Sequence, residues 1–281
     1  MVAGWYGRTR TVSTDDRALY GDWRARVKPH RGVRPEVVYQ RQRQTPDRLN
    51  NSARRTYDLL RSTLVATGRN MCLVERELAE SMSASRNTVR VALQQLAKEG
   101  IVTRGPKNGT RATGSLLLRI DELSSFDQYV TEPSSRIEVR ALECRPLGCP
   151  PMVRDRLRLP EGWTVVMIES LVVQDELPLG LTVNYIALSE DQAVDFQVDE
   201  PDVLLILERQ LRISIGASST TVGAVAADEQ SAELLGVEVG TPMVWLEDVI
   251  EDDSGQPRAL SQLRLRGDRV SFSATAYRRT A

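Results

Sequence analysis

The stretch "SASRNTVRVALQQLAKEGIVTRGPKNGT", residues 83–110, constrains the fold more than any other part of the chain. Ser85 is an N-cap residue, able to accept a bond from a free N–H of the first helical turn. Val89, Ala92, Leu93 and Leu96 then fall on one helix face. Gly100 supplies the left-handed stop. Residues 101–103 and 110–112 read as strands joined across Pro106-Lys107-Asn108-Gly109, and Asn-Gly is a strong hairpin signal. The inner face of the helix is thereby used. Arg86, Asn87, Thr88 and Arg90 are left over at its exposed N-terminal end. Free N–H groups and the helix dipole favour a phosphate there.

Two shorter signals precede this stretch. Ser52 reads as an N-cap, with Ala53, Tyr57, Leu60 and Leu64 on one face and Gly68 as the stop. Residues 74–82 read as a second helix with Leu78, Ala79 and Met82 inward. Three helices and a basic hairpin make a winged helix-turn-helix. Its third helix would place its polar end in a major groove, where Arg can pair with a guanine edge and Thr can touch a phosphate or a thymine methyl. Small helical triplets also serve as interaction domains, so the shape alone leaves that alternative open.

Charge favours the nucleic-acid reading. The formal net charge is only −1. Residues 1–114, however, hold 22 Lys and Arg against 10 Asp and Glu, which leaves 15 against 28 for residues 115–281. A basic half followed by an acidic half points to a nucleic-acid partner for the first. Residues 1–51 are rich in Arg, poor in aliphatics and carry Pro29, Pro35 and Pro46, which reads as a mobile basic arm. No run of about 18 apolar residues occurs, so no membrane span is expected. The first residues show no apolar signal region. Cys72, Cys144 and Cys149 form no CxxC, which suits a reducing cytoplasm. His30 is the one histidine, so a His-based metal or triad site is excluded. Cys144 and Cys149 lack the other ligands that a metal needs, and no cofactor is expected. Glu251-Asp252-Asp253 reads as a solvated turn.

Beyond the hairpin, residues 136–146, 163–174, 177–187, 211–225, 243–252, 257–266 and 270–277 alternate or run apolar like strands. Asp175-Glu176 and Asp253-Ser254-Gly255 read as turns, and residues 150–159, 201–210 and 228–236 as helices. Strands joined by hairpins, with a few helices, predict an α+β antiparallel sheet. The expected organisation is an arm to residue 51, a winged helix-turn-helix over 52–114, a linker over 115–130 containing Leu116, Leu117 and Leu118, and a sheet domain over 131–281.

Residues 75–110 resemble the DNA-binding domain of GntR-family bacterial transcription regulators. The resemblance rests on "ERELA", "SRNTVR", "ALQQLAKEG" and the wing "GT". It implies operator contacts by Arg76, Ser85, Arg86, Thr88, Arg90 and Gly109. Asn87 and Lys107 join them by position. Leu73-Val74 stands where the family usually has Pro-Ser, and Lys107-Asn108-Gly109 where Gly-x-Gly is common.

Residues 120–278 resemble the UTRA effector domain of the HutC-type subfamily, through "PSSRIEVRALECRP", "LLGVEVGTP", "DSGQP" and "RGDRVSF". This implies a sheet similar in fold to chorismate lyase, with a ligand cleft beside it that often takes small anionic metabolites. Ser134, Ser135 and Arg136 fit the family's Ser-Arg ligand segment. Ser170 stands where a hairpin arginine is common, and Ala259 and Leu265 stand where Glu and Tyr are. The cleft is therefore expected to have lost polar contacts and to suit a hydrophobic or amphipathic effector. Trp163 and Trp245 are expected in the core, Trp245 beside the cleft.

These features together predict a ligand-responsive, sequence-specific regulator rather than an enzyme. It would be a cytoplasmic homodimer that represses from two-fold symmetric double-stranded DNA and is released by a small molecule. One alternative is an architectural protein that binds DNA without sequence preference. The other is an enzyme on the lyase-like domain, although that half has no histidine.

Overall fold

The computed structural model describes residues 51–66, 72–105, 109–129, 135–188, 196–199 and 201–278. The expected basic arm lies outside them up to residue 50, as do the stop at Gly68 and the wing-tip residue Lys107. The described residues from Ser52 onward belong to one unit.

Helix α1 (Asn51–Ala66), α2 (Glu75–Ser81) and α3 (Arg86–Lys98) pack around one core. Helix α1 begins at Asn51, one residue before the expected cap at Ser52. Val89, Ala92, Leu93 and Leu96 are all fully buried, and they meet Leu60 and Leu64 from α1 and Ala79 from α2. Ser85 caps α3, its Oγ accepting from Thr88 N at 3.1 Å. Gly100 ends the helix at φ +74°. The hairpin forms from β2 (Val102–Gly105) and β3 (Gly109–Ala112). The sequence reading missed a third strand, β1 (Cys72–Leu73), which pairs antiparallel with β3. At two residues, β1 is too short to show a period.

Within the segment read as a linker, two elements pack on the sheet domain. Strand β4 (Leu116–Arg119) pairs in parallel with β11 (Val270–Ser273), followed by a 3₁₀ turn (Phe126–Tyr129). Leu116 and Leu118 are buried, while Leu117 faces solvent. The alternation, not the leucine run itself, anchors the segment. Where β11 approaches the winged helix, Arg61 of α1 donates to the Gly267 carbonyl at 3.3 Å and ion-pairs with Glu99 at 2.9 Å.

The main sheet has six antiparallel strands in the order β5-β6-β7-β10-β9-β8. They are β5 (Ile137–Gly148), β6 (Thr164–Gln174), β7 (Leu177–Ala187), β8 (Ile215–Ala226), β9 (Pro242–Asp252) and β10 (Pro257–Arg266). Strand β11 stops at Ser273, earlier than expected. Strand β8 starts at Ile215 because a left-handed Arg212 breaks the chain before it. One face packs against α4 (Pro151–Leu157) and α6 (Glu229–Leu235). The other face meets α5 (Val203–Leu205), which runs on as a π-helical turn (Ile206–Gln210), and the β4–β11 pair. All three cysteines are free.

Candidate functional site

Two regions hold polar groups that folding leaves open. The first is the N-terminal end of α3. Its apolar stripe is consumed by the core, so the residues between those positions must face outward. Arg86, Asn87 and Arg90 are exposed, and Thr88 is half-buried with its Oγ1 2.8 Å from Ser85 Oγ. The guanidinium of Arg86 forms no ion pair among the described residues. Arg90 leans on Glu75 at 3.4 Å, and Arg104 of β2 meets the same carboxylate at 2.8 Å. Arg76 pairs with Glu80 one turn along at 3.2 Å. These are exposed pairs that tether the cations loosely and leave them available to a stronger anion. Gly109 opens β3 at φ +69°, a conformation that suits glycine. The structure thus brings Ser85, Arg86, Asn87, Thr88 and Arg90 together on one helix end. Arg76 lies on the preceding helix.

The second region is a cleft of about 580 Å³ on the sheet face beneath β4, the 3₁₀ turn and α5. Strand register explains it. Val166, Ile186, Ala259 and Ile250 line up across four strands and are covered by Ile206 and Leu207. Further along the same strands, Val172, Leu265, Leu263 and Leu246 are covered by Leu116, Leu118 and Val270. Between these covers runs a row in direct register: Asn184 of β7, Ser261 of β10, Asp248 of β9 and Thr220 of β8. Apolar side chains attract covers and polar ones do not, so the cleft opens over this row. The 3₁₀ turn and α5 are joined above it. Asp202 caps α5 with Oδ1 and accepts from Phe126 N with Oδ2 at 2.9 Å.

Within the row, Ser261 Oγ donates to Asn184 Oδ1 at 2.6 Å. Thr220 Oγ1 donates to Asp248 Oδ1, with Ser218 Oγ at 3.4 Å from the same atom. Asp248 Oδ2 has no partner among the described residues. Burial pushes the Asp248 carboxyl above its ordinary range, the two hydroxyl donors pull it back, and the charge of Glu247 reinforces the rise. Arg119 is the one cation on the cleft wall among the described residues, and Asp121 and Glu122 already hold it at 2.8 and 3.2 Å. Phe126, Tyr129 and Phe272 supply aromatic wall.

None of the expected effector residues that are described lines this cleft. Ser134 lies outside the described residues. Ser135 Oγ and Arg136 N both donate to Asp175, at 3.0 and 2.7 Å, in the β6–β7 turn. That turn holds Asp175 and Glu176 at φ +49° and +65°, which is costly without glycine, and the two bonds hold it in place. The expected anion holder thus holds an internal carboxylate. Ser170 is fully buried on the cleft side of β6, its Oγ without a partner among the described residues. Ala259 and Leu265 are fully buried under the covers. Trp245 is off the cleft wall and half-buried, because it alternates with Leu246 and faces the other side of the sheet. Trp163 is half-buried beside α4. The polar groups that the cleft does carry sit in the row, at positions that were not among the expected ones. A search for single polar residues on apolar strand faces would have found Asn184, Ser261 and Asp248.

The comparisons agree with this architecture. Residues 53–111 match the model of bacterial regulatory proteins, gntR family, and residues 134–271 match the UTRA domain. An HTH-type transcriptional regulator of Mycobacterium tuberculosis is 26% identical over 73% of this chain and 77% of its own length. A probable fructoselysine utilization operon transcriptional repressor of Escherichia coli strain K12 is 22% identical over 71% of this chain and 82% of its own. Among solved structures, PhnF from Mycobacterium smegmatis superposes with a TM-score of 0.56 at 21% identity, over 80% of this chain and all of that one, which shows a shared fold. No helix among the described residues is long and apolar enough to cross a membrane.

Proposed function

From the premise that the chain belongs to the gntR family of bacterial regulatory proteins, carries a UTRA domain and is a transcription regulator rather than an enzyme, we propose that it reads a specific operator and is released by a small molecule in the cleft. The observation that carries this reading is the free guanidinium of Arg86 at the open end of a helix whose other face is wholly buried. Arg86 and Asn87 would read base edges. Ser85, Thr88, Arg90, Arg76 and the wing residues Lys107 and Gly109 would hold phosphates. The fructoselysine-operon relative supports repression as the sense of control. A cytoplasmic homodimer fits a two-fold operator with half-sites about 34–36 Å apart.

The effector would be amphipathic, its body against Phe126, Tyr129 and Phe272 and its polar end on the row. The cleft wall includes Leu118, and β4 leads back through Thr113 to the wing. A ligand that favours one position of β4 over another would therefore bias the winged helix.

Fluorescence anisotropy tests the reading, with fragments of the region upstream of the protein's own gene at physiological salt. Tight binding to one palindromic segment is expected. Arg86→Ala should lose about 1–3 kcal/mol of that binding, roughly 5- to 150-fold, and keep weak binding to all fragments. Equal weak binding of the unaltered protein to every fragment would favour the architectural alternative.

A further inference from the structure

We infer that the cleft selects a ligand with a protonated amine, which the carboxylate of Asp248 receives. The inference rests on the reading of the cleft as the effector site and adds the charge of what enters it.

Three observations carry it. Asp248 stands in the middle of the row that the two covers leave open, between Ser261 and Thr220. Its Oδ1 is occupied by Thr220 and Ser218, whereas Oδ2 has no donor among the described residues. Ser261, the nearest candidate on the neighbouring strand, gives its proton to Asn184 instead. A carboxylate oxygen in this position accepts a hydrogen bond from whatever fills the cleft.

The surroundings decide the sign of the charge. Asp121, Glu122 and Asp202 also line the cleft, and Arg119, the cation among its described lining residues, is already held by Asp121 and Glu122. An entering carboxylate or phosphate would meet Asp248 with no cation to offset it. Like charges at such a range are strongly unfavourable when partly desolvated. An ammonium would supply the missing donor and offset the half-buried charge. The remaining wall, with Phe126, Tyr129 and Phe272, suits an aromatic or aliphatic body. The usual anion-holding segment does not oppose this assignment, because Ser135 Oγ and the Arg136 backbone N–H are engaged by Asp175 and neither residue lines the cleft.

The test uses the full chain and three probes of nearly one skeleton: tryptamine, tryptophol and indole-3-acetate. Their dissociation constants are measured at pH 7 by ligand-observed NMR titration. Tryptamine is expected to bind about tenfold or more tighter than tryptophol, with indole-3-acetate weakest. Asp248→Asn should erase the amine preference while its thermal midpoint holds or rises, since a half-buried charge is removed. Thr220→Val keeps the carboxylate and should keep the preference, which guards against a fold effect. Equal binding of the three probes, tighter binding of the acid, no binding of any at 10 mM, or an amine preference that survives Asp248→Asn would each overturn the inference. None of these outcomes touches the Arg86-dependent operator binding. Conversely, an amine preference without any change in operator affinity would support the inference and count against the ligand-release reading.

Discussion

Arg86 and Asp248 are both charged groups left without an ion-pair partner among the described residues, yet the chain makes them in different ways. Arg86 follows its own cap, Ser85, and its helix is closed off by Gly100 within 15 residues of it. Its cap, its buried stripe and its stop are written in one continuous run. Asp248 is presented by a row whose members come from residues 184, 220, 248 and 261, and by covers from residues 116–129 and 203–210. It is exposed to the cleft because distant segments stop short of it. A local device keeps its meaning under substitution elsewhere. A distributed one depends on register.

The first way to break the comparison is Leu93→Ala, at the centre of the winged-helix core. It should cost about 2–5 kcal/mol in urea unfolding and abolish operator binding. The binding of small molecules in the cleft should survive at temperatures where the winged helix is lost. If cleft binding disappears with operator binding, the two devices are one cooperative structure and the contrast is false. Next in size is Ser85→Ala, which removes the bond to Thr88 N. A loss of about 1 kcal/mol is expected, read by thermal denaturation in circular dichroism, with no change at the cleft.

The smallest effect sharpens the sheet side. Asp252 accepts from Ser254 N and Oγ, Gln256 N and Arg258, and these bonds hold its carboxyl far below the usual carboxylate range. A folded value below the unfolded one means that its contribution is present above about pH 4. It is lost as pH falls through the folded value. The stability difference between the unaltered protein and Asp252→Asn should therefore be constant near neutrality and shrink in acid. A difference that grows in acid would show that the turn is held by something else.

The same contrast explains what could be read in advance. The buried stripe of α3, its cap and its stop follow from periods of three and four, and all appear where expected. Strands β7 and β10 match their expected bounds for a similar reason, each being a continuous alternation between turn signals. Strand β1 escaped because two residues carry no period, and the 115–130 segment because a run of three leucines does not reveal which two are buried. The cleft was the least legible part. Asn184, Ser261 and Asp248 each look like an ordinary polar interruption of a strand, and they become a row only when two registers are known together. The Ser135-Arg136 segment misled for the opposite reason. Its donors are real, but a left-handed turn within the chain claims them first.

The parallel pairing of β4 with β11 joins residue 116 to residue 270. On a growing chain the winged helix can finish while β4 still waits for an edge that is made roughly 150 residues later, so this joint is among the last contacts to close. The winged helix is thus complete in the order of synthesis before its joint to the sheet domain closes. A product cut short before Val270 would keep every residue of the winged helix but leave β4 without its partner strand, so that one cover of the polar row would be unfastened.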